Sequence, residues 1–149
     1  MVRRVLFVLV INLVGLVLAS GLDASASDAD LPFKVIVNPN VVGQTLPRQI
    51  LAEIYLGTVE RWGDGSLITA VDLSSTSTVR QAFSQRTLGM PVEAVRFHWM
   101  RKVANGKRPP ISKPSDEEVI AFVAAERGAV GYVSLGANVP ATVREVTLR

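Results

Sequence analysis

The chain has 149 residues, 16 Lys+Arg against 13 Asp+Glu, one histidine and no cysteine. The missing cysteine excludes a thiol nucleophile, a thiolate metal site and any disulfide. A net charge of +3 is too mild to argue for nucleic acid, and the length suits one domain.

Arg3 and Arg4 precede the apolar run Val5–Leu18, and the small residues Ala19, Ser20, Gly21 and Ala24–Ala26 follow. A basic start, a short apolar run and a small-residue exit predict a signal peptide over residues 1–26, cleaved after Ala19, Gly21 or Ala26. The protein is then exported to the periplasm. The run is short for a membrane span, which needs about 20 apolar residues; an uncleaved anchor is the alternative. Without a cysteine at the exit there is no lipid anchor. Arg3, Arg4 and Asp23 belong to the leader, so the remainder carries 14 basic and 12 acidic residues. Asp28 and Asp30 form a D-x-D in the polar lead-in, where a metal site lacks a supporting framework.

Phe33–Val37 is rich in β-branched residues and predicts a strand, ended by Asn38-Pro39-Asn40. Thr45 is the expected N-cap of a helix with Pro47 in its first turn. Ile50, Leu51, Ile54 and Tyr55 give that helix an apolar face, and Gly57 terminates it. After a turn at Trp62–Ser66, Leu67–Leu73 predicts a second strand. Five hydroxyl residues follow, Ser74, Ser75, Thr76, Ser77 and Thr78, and then a helix over Val79–Leu88 ended by Gly89. Pro91 opens a third helix with Val92, Val95, Trp99 and Val103 as its buried stripe. Pro109, Pro110 and Pro114 make a stiff loop. Ser115 and Glu118 form a capping box for a fourth helix that stops at Gly128. Ala129–Val133 and Val143–Leu148 predict two further strands. Mostly alternating elements imply an α/β domain over residues 33–149, with helices against a mixed sheet.

The residues point away from catalysis. His98, in a helix beside Trp99, has no carboxylate or second histidine at i+4, so a structural or surface role is expected. No G-x-S-x-G, P-loop or H-E-x-x-H motif is present. The sequence implies no cofactor, metal or enzymatic activity. The informative stretch is Ser74–Thr78 with Arg80. A strand end, hydroxyls and a helix start are where open α/β sheets bind ligands. Free N–H groups at a helix start hold anions. A cation in the first turn opposes the helix dipole, and a bound anion reverses that sign. Arg80 also offers a planar fork of donors. The other reading is a simple helix cap, with Arg80 paired to Asp72 on the surface. Arg96, Arg101, Lys102, Lys107, Arg108 and Lys113 form a second, acid-free basic stretch, which reads as a solvated face rather than a nucleic-acid site.

Several phrases together resemble the phosphate-type periplasmic solute-binding proteins. They are the Asn-ended strand, Ile54-Tyr55-Leu56-Gly57, Trp62-Gly63-Asp64-Gly65, the loop "SSTSTVRQAF" in place of a Ser-Gly-Thr phosphate loop, and "GAVGYV" at Gly128–Val133. The central glycine of that loop is replaced here by Thr76 or Ser77. The family has two lobes, and this chain has material for one, as in its short single-lobe group. The resemblance implies a single lobe of a type 2 periplasmic-binding-protein-like fold. It implies a small oxyanion such as phosphate, bound weakly at Ser74, Ser75, Thr76, Ser77, Thr78 and Arg80, and an ABC permease or another envelope protein as partner. A homodimer would bring two loops face to face. The alternative is a non-transport protein-interaction or envelope-associated domain that has kept one lobe.

Overall fold

The computed structural model describes residues 31–149, so the leader, its cleavage points and the Asp28/Asp30 pair lie outside the described residues. Among the described residues a six-stranded sheet is built from β1 (Phe33–Val37), β2 (Thr45–Leu46), β3 (Thr69–Leu73), β4 (Ile111–Lys113), β5 (Ala129–Ser134) and β6 (Arg144–Leu148). The spatial order is β2-β6-β1-β5-β3-β4. β1 runs antiparallel to both β5 and β6, while β3 is parallel to β5 and to β4, so the sheet is mixed. Helices α1 (Arg48–Tyr55), α2 (Thr78–Phe83), α3 (Val92–Ala104) and α4 (Asp116–Ala125) flank it. Among the described residues no helix is long and apolar enough to cross a membrane.

Successive residues of a strand face opposite sides, and β5 shows what each side buries. A Cβ on Gly131 would sit 2.7–3.1 Å from Val71, Val119 and Val123, so this side holds α4 against the sheet. Next to it, Tyr132 faces α1 and α2: its ring stacks on Phe83 at 3.8 Å and 4°, with Tyr55 and Phe33 around it. By the same alternation Val71 lies under α4, and Asp72 lies on the Tyr132 side.

Two strands were not expected from the sequence, and one cap moves. Thr45 pairs with Thr147, and Leu46 with Leu148, forming β2 parallel to β6. α1 therefore begins at Arg48 behind Pro47, with no side-chain cap, because the sheet edge takes Thr45. Ile111–Lys113, inside the proline-rich stretch, pairs with Val71–Leu73 as an edge strand. Flanking prolines suit an edge, where one side of the backbone needs no partner.

The second helix is α-helical only over Thr78–Phe83 and continues as a π-helical turn over Ser84–Leu88, ending at Gly89 with φ 68°. In α3, Val95 and Trp99 are buried, but Val103 is 51% exposed, beside exposed Phe97 and Met100. The buried stripe of α3 thus ends at Trp99, where the helix lies against the end of α1. There it is fastened by hydrogen bonds. Trp99 Nε1, His98 Nε2 and Lys102 Nζ donate to the carbonyls of Tyr55, Leu56 and Gly57, at 3.1, 2.9 and 3.0 Å. Those carbonyls end α1 and have no onward helical partner. His98 is thus a structural donor. At the start of α4, Ser115 Oγ accepts the N–H of Glu118 at 3.3 Å, as the capping box requires. The acid that answers is Glu117 rather than Glu118: its own N–H, then the Ser115 hydroxyl, hold its carboxyl below the usual value.

Candidate ligand site

The hydroxyl loop leaves the C-terminal end of β3, where Ser74 N–H donates to Lys113 O of the edge strand at 2.9 Å. Ser77 is the N-cap of α2, its Oγ accepting from the N–H of Arg80 at 3.3 Å. Ser74 and Thr76 share a hydroxyl–hydroxyl bond of 3.1 Å. Ser75, Thr76 and Thr78 are exposed, and Ser74 and Ser77 are half-buried. With only six α-helical residues behind it, the loop gains little from a helix dipole. The charge of the site rests on side chains.

Arg80 is the decisive one. It is 6% exposed, and its Nε lies 2.9 Å from Asp72 Oδ2. The pairing with Asp72 expected at the surface is therefore present but buried. Asp72 Oδ1 accepts the Tyr132 hydroxyl and, at 2.9 Å, the N–H of Leu73. Tyr55 closes the cluster, its hydroxyl donating to Val71 O at 2.7 Å. Burial pushes the Asp72 carboxyl above its ordinary value, outweighing Arg80, Tyr132 and Leu73. Burial first, and the Asp72 charge second, drive both tyrosine hydroxyls far above theirs, so they act only as neutral donors. Against this well-connected carboxylate, the guanidinium is under-used: Arg80 Nη1 is buried and has no hydrogen-bond partner. A buried donor left unmade costs about 1–3 kcal/mol, and more when charged.

Arg80, Asp72, Ser74 and Ser75 form the polar end of a cavity of about 610 Å³. Ser112 of β4 and Arg96 of α3 also line it, and its remaining wall is apolar: Val92, Val95, Trp99, Met100, Val103, Pro109 and Pro110. Thr76, Ser77 and Thr78 are not among its lining residues. The structure thus gathers three of the six sequence-derived candidates around one cavity. It adds Ser112, Arg96 and the α3 wall, which sequence reasoning missed. The basic stretch is largely committed to local partners. Lys102 binds Gly57 O, Lys107 pairs with Glu60, and Lys113 and Arg96 lie over the rings of Phe122 and Phe97. Among the described residues no group of three or more His, Asp or Glu is placed to hold a metal.

Solved structures resemble this architecture. The PstS protein from Borrelia burgdorferi superposes with a TM-score of 0.65 at 17% identity, over 79% of this chain and 47% of that one. The chain has the fold of a phosphate-type substrate-binding protein lobe. An ABC-type phosphate transport receptor from Vibrio cholerae gives 0.61 at 19% identity, over 78% of this chain and 46% of that one. A putative phosphate ABC transporter substrate-binding protein from Clostridium perfringens, solved with bound phosphate, gives 0.62 at 19%, over 78% and 44%. The chain therefore spans under half the length of these proteins. No family model and no curated protein matches the sequence.

Proposed function

We propose that this chain is an exported solute-binding-like protein, not an enzyme, that takes a small oxyanion at the Ser74–Thr78 loop with Arg80 as counter-charge. The observation that carries the reading is the buried Arg80 guanidinium with Nη1 unpartnered, on a cavity that Ser74 and Ser75 also line. A small turn of the guanidinium toward the cavity would let an oxyanion supply the missing acceptor, and the arginine fork suits it. The phosphate-binding neighbours support the ligand class, and the basic leader supports export. Transport with an ABC permease is the role this reading extends to. A single lobe provides one wall of contacts, so affinity is weak, about 10⁻⁴ M or poorer, after the fixed cost of association. A homodimer placing two loops face to face would strengthen it.

The test is a ¹H–¹⁵N titration with inorganic phosphate, on protein taken from the periplasmic fraction with its N-terminus read by mass spectrometry. The expected result is an N-terminus between Ser20 and Ser27 and shifts confined to Ser74–Arg80 and Ser112. An intact Met1 in the membrane fraction refutes export. Silence of those amides at tens of millimolar phosphate refutes the anion site. The interaction-domain reading then leads, supported by the exposed Phe97, Met100, Val103 and Ile111.

A further inference from the structure

The cavity is far larger than the ion it is proposed to hold. A tetrahedral oxyanion fills the space of a few waters, at about 30 Å³ each; the site is a groove open to solvent of about 610 Å³, with room for an organic ligand laid along it. Its composition is divided by position. Arg80, Ser74, Ser75 and Ser112 stand at the end where β3 and β4 stop. Val95, Trp99, Met100, Val103, Pro109 and Pro110 make up α3 and the proline segment facing it. Arg96, one turn before Met100 on α3, adds a second cation to the lining. Asp72 also lines this end, with Oδ1 taken by Tyr132 and Leu73 and its charge balanced by Arg80 at Oδ2.

An inorganic ion satisfies the polar end and leaves the apolar wall in water. Met100 and Val103 are 59% and 51% exposed, an arrangement that gains nothing from phosphate but gains from an alkyl or aryl group laid across it. We propose that the preferred ligand is an organic anion, with an oxyanion head on Arg80 and the Ser74–Ser75 hydroxyls and an apolar body against Trp99, Met100, Val103, Pro109 and Pro110. This rests on the anion site proposed above and adds to it the class of ligand. A phosphate monoester and a carboxylate share the needed chemistry, a charged planar or tetrahedral oxygen group on a short hydrocarbon.

The experiment compares inorganic phosphate, n-hexyl phosphate, hexanoate and 1-hexanol on the same periplasmic protein. It follows Trp99 fluorescence, with a Trp62→Phe background to isolate the signal, and calorimetry. Each methylene buried multiplies affinity by about fourfold, so partial burial of the chain makes hexyl phosphate bind at least tenfold tighter than phosphate. Hexanoate tests whether the head must be a phosphoryl group: binding comparable to hexyl phosphate assigns the site to oxyanions generally, and weaker binding assigns it to phosphate monoesters. Met100→Glu and Val103→Glu, at exposed positions that the fold tolerates, lower the ratio of hexyl phosphate to phosphate affinity. Phosphate binding with no gain from the hexyl group overturns the organic-anion proposal and leaves the anion site standing. Hexanol binding as tightly as hexyl phosphate overturns it too, by showing that the head is not recognised. Silence with all four probes overturns both.

Discussion

Replacing Arg80 with methionine removes the guanidinium but keeps a stem of similar reach. The partner left behind is Asp72, 8% exposed, whose charge then has only the Tyr132 hydroxyl and the Leu73 N–H to stabilise it. Breaking a buried pair in this way costs about 3–5 kcal/mol, a large share of the 5–15 kcal/mol typical of a domain. The cost depends on pH, and its sign follows from the carboxyl. The folded-state value of Asp72 is already raised above 3.8 by burial. Its contribution is therefore favourable below the unfolded value and is lost as pH rises through the folded one. Arg80 is the largest influence opposing that rise, so its removal lifts the carboxyl further and widens the window upward. Arg80→Met should thus lie close to wild type near pH 4 and lose the full amount by pH 8. With urea m-values of about 1–3 kcal/mol/M, the midpoint then falls by about 2 M. Urea melts at both pH values measure it. Asp72→Asn keeps an acceptor for Tyr132 and Leu73, and the double variant should lose less than the two single losses summed. An equal loss at both pH values, or a loss under about 1 kcal/mol at pH 8, would refute the view of Asp72 as a buried charge dependent on Arg80.

Ser115→Ala removes the acceptor of the Glu118 N–H and should cost about 1 kcal/mol, read as a lower urea midpoint; an unmoved midpoint would mean that tertiary contacts alone hold the start of α4. Gly131→Ala places a Cβ 2.7 Å from Val71 and 2.8 Å from Val119, between sheet and helix, and should destabilise by about 1–3 kcal/mol through overpacking, with part of the loss recovered by adding Val119→Ala. A neutral Gly131→Ala would show that α4 can lift from β5 at no cost.

Much of this fold was readable because its signals are local. β1, β3, β5 and β6 announce themselves by β-branched runs, Gly57 and Gly89 by the left-handed turns that end helices (φ 69° and 68°), and Ser115 by its cap. What escaped depends on partners distant in sequence. Thr45 has the chemistry of a helix cap, and only the arrival of Thr147 makes it a strand residue. Ile111–Lys113 reads as loop until β3 lies beside it. Val103 continues the helical stripe, yet it lines the open cavity and stays 51% exposed. At the candidate site the hydroxyl run and Arg80 stood out as an unusual local pattern. The carboxylate that buries Arg80 was in view only as a surface partner, because Tyr132, sixty residues from Asp72, supplies the bond that makes its burial tolerable. Asn38 looked like turn punctuation. Its side chain instead reaches the carbonyls of Val123 and Ala124 at the end of α4, at 2.9 and 3.1 Å.

The fastening of α3 has a consequence for how such a protein can diverge. Its three donors sit at positions 98, 99 and 102, whereas the cavity-facing positions 96, 100 and 103 take no part in that attachment. Apart from Val95 and Trp99, which are buried and also line the cavity, the anchoring and cavity-facing residues of this helix are separate. Positions 96, 100 and 103 can therefore diverge, and reshape the cavity wall, while the helix stays seated.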